Sequence, residues 1–250
     1  MHSKIKLLNE FYSTIDREQV KIETKIHGFD YLSTLRNMAV LDYCELKNGV
    51  YKYRLSKVKI DLFMVLLNDH LAKKINLCTY FHKENNNLFA LNLDFTSAWV
   101  NKIKIAALFM ADNLMKIGIT PLIIKSGHGY HIWCRISDPV KNIRLQAFMT
   151  VLTNLIVSQM NEKGLETSDL QCTCYPRPNV SDVSIRLFGS EHMKTGMFSS
   201  IITQINAEDA ILSEEESWSY FERYMNESTV TREHFEKVVD DLIKDSCRQY

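Results

Sequence analysis

Residues 88–136 constrain the fold more than any other part of the chain. Residues 88–95 (LFALNLDF) form a nearly continuous apolar run of strand length. Residues 97–117 then place Ile103, Ala106, Ala107, Met110, Leu114 and Ile117 at helical spacing, and Gly118 closes that helix. Residues 119–124 are a second apolar strand. Residues 130–136 are a third, with Gly127 and Gly129 tightening the turn before it. Strand, long helix, strand makes a βαβ-like or split unit. The segments at Asp94 and Ser126 can therefore sit side by side at neighbouring strand ends.

The flanks read as further helices and strands. Residues 3–15 predict an amphipathic helix built on Ile5, Leu8, Phe11 and Tyr12. Residues 51–58 alternate as a strand. Its hairpin partner is expected at 38–46, with Lys47, Asn48 and Gly49 at the corner. Residues 61–71 look helical, and Asn85, Asn86 and Asn87 end a loop. Residues 141–162 predict a helix with Leu145, Phe148, Leu152, Leu155 and Ile156 inward, closing near Gly164. Residues 170–175 and 183–188 read as two strands joined by a Pro-Arg-Pro-Asn turn, and 198–205 as one more. Ser213 with Glu216 three residues on is a capping-box pattern, and a last helix is expected over 231–247. The expected division is an N-terminal part (1–84), a core (85–205) and a helical appendage (206–250), in an α/β (α+β) fold.

At 250 residues and 46% hydrophobic, the chain suits one sizeable domain or a core with an appendage. Lys plus Arg and Asp plus Glu are 30 each, which argues against coating nucleic acid by charge alone. A local basic groove remains open, with Lys52, Arg54, Lys57 and Lys59 as candidate template contacts. The acidic C-terminal part reads as a solvated face. With no apolar run long enough for a bilayer and no signal-like N-terminus, a soluble intracellular protein with no membrane partner is expected. The six cysteines are expected to be reduced. Cys172 and Cys174 would face one side of a strand, as part of a zinc site or as ordinary buried thiols.

Three segments carry the chemistry. A carboxylate such as Asp94 at the end of a buried strand must be paired, hydrogen-bonded or bound to a cation. Asn92, two residues earlier, shares its face. The two are either a cation site or a structural hydrogen-bonding pair. Residues 126–131 (SGHGYH) offer the Ser126 hydroxyl, the His131 ring and a glycine-rich turn, which is a phosphate cradle or a plain tight hairpin. Residues 186–196 (RLFGSEHMKTG) set Arg186, Ser190, His192 and Lys194 close together among small residues. That suits a triphosphate better than a solvated turn.

In order and spacing, these segments resemble the archaeo-eukaryotic primase superfamily of primases and primase-polymerases. The family shows an hhDxD strand, a Ser-Gly…Gly-aromatic-His-hydrophobic-Trp segment and a basic strand leading into Ser-x-His-x-Lys-Thr-Gly. Here these stand as Leu91-Asn92-Leu93-Asp94, residues 126–133 and residues 186–196. The third looks especially like the small catalytic subunit of eukaryotic and archaeal primases. The resemblance covers residues 85–205. It implies a primase-type core with RRM-like βαβ elements and flanking helices. It implies Mg2+ or Mn2+ held by Asp94 and Asn92 as catalytic and metal residues, and nucleotide phosphates held by Ser126, His131, Arg186, Ser190, His192 and Lys194.

The implied activity is primer or short-strand synthesis from NTP or dNTP on single-stranded DNA, with a primase large subunit or a helicase as possible partner. No helicase motif or P-loop is present. Asn92 stands where the family has its first acid, and the third acid would fall near Thr173 or Cys174. The alternatives are a degenerate primase-like protein that binds nucleotide or nucleic acid, and a structural subunit of a replication complex.

Overall fold

The computed structural model describes residues 2–13, 15–26, 29–36, 43–47, 50–54, 62–95, 100–127, 129–168, 170–177, 185–192, 196–203 and 210–248. Along the chain run α1 (His2–Phe11), β1 (Ile15–Ile26), β2 (Phe29–Arg36), β3 (Tyr43–Lys47), β4 (Val50–Arg54), α2 (Leu62–Leu71) and β5 (Asn76–Phe81). There follow β6 (Asn85–Phe95), α3 (Val100–Lys116), β7 (Leu122–Lys125), β8 (Tyr130–Lys141), α4 (Asn142–Glu162), β9 (Leu170–Tyr175), β10 (Ile185–Arg186), α5 (Glu214–Glu227) and α6 (Arg232–Arg248). They make two units: Met1–Phe81 with Asp182–Ser199, and His82–Ser181 with Ser200–Tyr250. Helices and antiparallel sheets in this mixture are an α+β fold.

The first unit holds an antiparallel sheet in the order β10-β5-β1-β2 and the separate hairpin β3–β4. That hairpin bears out the expected pairing, with Tyr43 opposite Arg54 and Lys47 opposite Val50. Asn48, Gly49, Lys57 and Lys59 lie outside the described residues. α1 buries Ile5, Leu8 and Phe11, with Tyr12 just after its end, as the spacing requires. α2 buries Leu66 and Leu67 and ends with Lys73 in the left-handed region at φ 60.

Of the expected strand over 183–188, residues 185–188 are described; Ile185–Arg186 is strand, and it pairs with β5, not with β9. Ile185 lies opposite Thr79 and Arg186 opposite Cys78, so β10 extends the free edge of β5. The Leu187 N–H then donates to the Leu77 carbonyl at 2.9 Å, continuing the ladder.

The second unit is built on the sheet β7-β8-β6-β9. β8 lies between β6 and β7 and is antiparallel to both, so the strand–helix–strand pattern is a split unit. One face carries Phe89, Leu91, Leu93, Ile132 and Cys134 into a core shared with α3, α4 and α6. The rings of Phe89, Phe148 and Phe235 meet there with centroids 5.2–5.8 Å apart. Each such side chain stabilises the fold by roughly 1.5–3 kcal/mol through burial.

Phe235 and Val239 therefore make α6 part of this core, where the sequence suggests an appendage. Arg144 of α4 ties α6 down through Glu236 at 2.8 Å and Asp240 at 2.6 Å. Leu155, expected inward, is 39% exposed, because Leu152 and Ile156 already fill the inner stripe.

Asn85, Asn86 and Asn87 open β6 instead of ending a loop. Asn86 is buried because its amide donates to the His82 carbonyl and to Asn142 Oδ1, while Asn142 donates back to His82 and Lys83. The expected strand over 198–205 is reduced to isolated bridges, Ile201 with Ile124 and Ile202 with Ile211 among them. The capping box at Ser213 and Glu216 forms as its sequence predicts. Among the described residues no helix is long and apolar enough to cross a membrane.

Candidate active site

In the second unit, pairing puts five polar residues on one sheet face. Asn92 of β6 lies opposite His131 of β8 and, on its other side, opposite Thr173 of β9. Opposed residues of paired strands share a face, so these three side chains form one row across the sheet. Asp94 lies opposite Gln171 one step further along. The Asn92 amide donates to Asp94 Oδ2 at 2.5 Å. Asn92 Oδ1 is buried and has no hydrogen-bond partner among the described residues. An acceptor left this way costs about 1–3 kcal/mol.

Backbone space keeps Asp94 in place. A Cβ on Gly129 would run into the Leu93 carbonyl and Asp94 Oδ1. Gly129 thus lets the turn lie directly against the end of β6.

The turn itself is a hairpin. Lys125 pairs with Tyr130, and the Ser126 N–H donates to the Gly129 carbonyl at 2.9 Å, with Gly127 at φ 88. The Ser126 amide is therefore spent on the turn and does not face a ligand. Ser126 and His131 are buried, at 7% and 8% exposed. His128 lies outside the described residues.

Among the described residues, three of the expected phosphate ligands belong to the first unit. Arg186 is half-buried on β10. His192 is buried, its N–H bound to the Met197 carbonyl and its carbonyl to the Gly196 N–H, each at 2.7 Å. Ser190 is not an available donor. It is wholly buried and its hydroxyl donates to the Ile75 carbonyl at 3.3 Å, which holds the turn. Lys194 lies outside the described residues.

The acids are fewer than the resemblance implies. The positions on β9 that face Asn92 and Asp94 are Thr173 and Gln171, both neutral. Asp169 and Asp182 lie outside the described residues. No group of three or more His, Cys, Asp or Glu side chains stands at metal-holding distance among the described residues. Cys172 and Cys174 lie opposite Leu93 and Leu91, on the core face. The sequence alone does not place Thr173 beside Asn92 or Gly129 against Asp94, for different reasons. The first needs the β6–β9 register, and the second reads only as a turn glycine.

The donors that remain suit one hard cation. The Asp94 carboxylate and the unsatisfied Asn92 Oδ1 are oxygen ligands of the kind Mg2+ or Mn2+ takes, with a single charge between them. Among the described residues they do not make a clamp for two cations.

Among solved structures the chain is similar to the polymerase domain of Ligase D from Mycobacterium tuberculosis, in complex with DNA. The TM-score is 0.52 at 9% identity, over 91% of this chain and 88% of that one. It also matches the archaeo-eukaryotic primase domain of the primase-polymerase of cyanophage S-2L at TM-score 0.34 and 13% identity, over 88% of this chain and 97% of that one. The first likeness supports the fold. No curated protein matches the chain. A family model described as the archaeo-eukaryotic primase domain of the TOTE conflict system matches residues 21–180. That is more than half of the sequence, and it spans the whole row Asn92, His131, Thr173 together with Asp94: the chain belongs to this archaeo-eukaryotic primase family.

Proposed function

We propose that this chain is a nucleotidyltransferase of primase-polymerase type that adds NTP or dNTP to a strand on single-stranded DNA. The observation that carries the reading is the row on the second unit's sheet. Asp94 stands beside the Asn92 amide oxygen, which has no partner among the described residues, and His131 lies directly across the ladder from Asn92. Asp94 and Asn92 would hold one Mg2+ or Mn2+. When bound, such a cation offsets charge on the phosphoryl group and lowers the pKa of an attacking hydroxyl. His131 and the Ser126 hydroxyl would donate to phosphate oxygens in the second unit, and Arg186 and His192 in the first, with Lys194 supporting. The conflict-system description of the family favours a role in such a system over routine chromosome replication.

A second reading has its own support. Asn92, Thr173 and Gln171 are all neutral where a two-cation polymerase wants acids. On that reading the chain binds nucleotide without catalysis.

Extension of primed and unprimed single-stranded templates with Mn2+ separates the two. Product that disappears in Asp94→Ala and rises at least about tenfold in Asn92→Asp supports synthesis. No product from either protein, with triphosphate still bound, supports the second reading. On both, His131→Ala and Arg186→Ala weaken triphosphate binding. Unchanged binding in these two would remove the phosphate assignment.

A further inference from the structure

His70 is wholly buried near the end of α2, in the apolar run LFMVLLNDHL. A buried imidazole is costly unless both ring nitrogens are satisfied. The Leu77 N–H donates to His70 Nδ1 at 3.1 Å, so the ring proton sits on Nε2, which donates to the Phe188 carbonyl at 2.9 Å. One ring thus joins β5 to the residue two after Arg186.

Other bonds converge on the same short segment. The Phe188 N–H donates to the Tyr12 hydroxyl at 3.1 Å. Asn76 Nδ2 donates to the Glu191 carbonyl at 2.8 Å, and Lys73 pairs with the Glu191 carboxylate at 3.2 Å. Ser190 is held through Ile75, and its carbonyl accepts the Ser199 N–H at 3.0 Å. The segment ends at His192. Its two ends therefore carry the two groups assigned to phosphate, while the residues between are fixed by backbone bonds. An anion site assembled in advance loses less entropy on binding than one that must be ordered by its ligand.

We propose that His70 is a positioning residue: through Phe188 it fixes the backbone that aims Arg186 and His192 at nucleotide phosphates. This rests on the proposed function for the phosphate-binding role. The fixing of the segment itself stands on the hydrogen bonds alone. His70 touches no ligand, and its effect is confined to the phosphate side of binding.

His70→Asn is the main test. An asparagine amide can still accept from Leu77 but is too short to reach Phe188. His70→Gln extends its amide to the Phe188 carbonyl and should restore most of the effect. Leu8→Ala, a cavity in the same unit that removes no hydrogen bond to the segment, controls for lost stability.

Three readouts are taken on the full chain: amide exchange at Leu187 and His192, affinity for ATP or dATP, and Mn2+ binding without nucleotide. Expected in His70→Asn are exchange about tenfold faster at both amides, triphosphate affinity about tenfold weaker and unchanged Mn2+ binding. Leu8→Ala should lose melting temperature yet keep triphosphate affinity within about twofold. Unchanged exchange in His70→Asn would overturn the inference. So would a loss of affinity in Leu8→Ala that matches that of His70→Asn. If wild type binds no triphosphate, the functional reading fails and the phosphate role with it, while the exchange result still decides whether His70 fixes the segment.

Discussion

Gly129 shows how little room the site leaves at the level of one residue. Its hydrogen stands where any side chain would meet the Leu93 carbonyl and Asp94 Oδ1. Gly129→Ala should therefore push the turn off β6 and displace the Asp94 carboxylate, at a cost on the order of 1–3 kcal/mol. A lowered melting temperature together with weakened Mn2+ binding checks this. A variant that melts like wild type and binds Mn2+ equally would contradict the crowding. Asp94, Asn92 and His131 were legible because polar residues on an apolar strand stand out at period two. The bond from the Ser190 hydroxyl to the Ile75 carbonyl spans 115 residues of sequence, so no local pattern discloses it. His70 gave a faint signal, a lone imidazole in an apolar helix, whose two backbone partners only the fold supplies.

At the scale of elements, β9 illustrates what local pattern gives and withholds. The i, i+2 spacing of Cys172 and Cys174 predicts a shared side. Register with Leu93 and Leu91 then puts that side toward the core, beneath α4. Thr153 of α4 reaches both sulfurs, at 3.9 Å and 3.7 Å. A hydrogen bond from Cys172 draws the Cys174 thiol below the usual thiol range. Burial opposes this, and Thr153 and Arg177 assist it. The same pairing pushes Cys172 well up. Thiolate is the reactive form, so iodoacetamide near neutral pH should modify Cys174 well before Cys78 and Cys134, which are buried. Thr153→Val should slow that reaction. Peptide mapping of a time course reads both effects, and equal labelling of Cys134 and Cys174 would refute the assignment.

At the scale of the whole molecule, local reasoning recovered the split unit, the β3–β4 hairpin and the helices. It missed that the chain returns at Asp182 to its first unit. Residues 183–188 follow 170–175 closely enough to be read as their partner. Their backbone bonds go instead to β5, an edge that only the assembled N-terminal sheet provides. The same return gives the molecule an acid-sensitive fastening. Burial lowers the His70 pKa from 6.5 to about 4. The Phe188 hydrogen bond opposes this, and the nearby Arg186 charge adds to it. Above pH 6.5 the ring is neutral in both folded and unfolded chains, and its full contribution is present. Between about 6.5 and 4 only the unfolded chain takes up the proton, so up to about 3 kcal/mol of stability drains away as the pH falls. Glu216 acts in the same direction. Its bonds with Ser213 lower its carboxyl pKa, so that contribution also fades on acidification. The melting temperature should therefore fall from pH 7 toward pH 4.5, and His70→Asn should flatten the slope while lowering the neutral-pH value. A wild-type profile level across that range, or an equal slope in the variant, would show that the imidazole is not held neutral between Leu77 and Phe188.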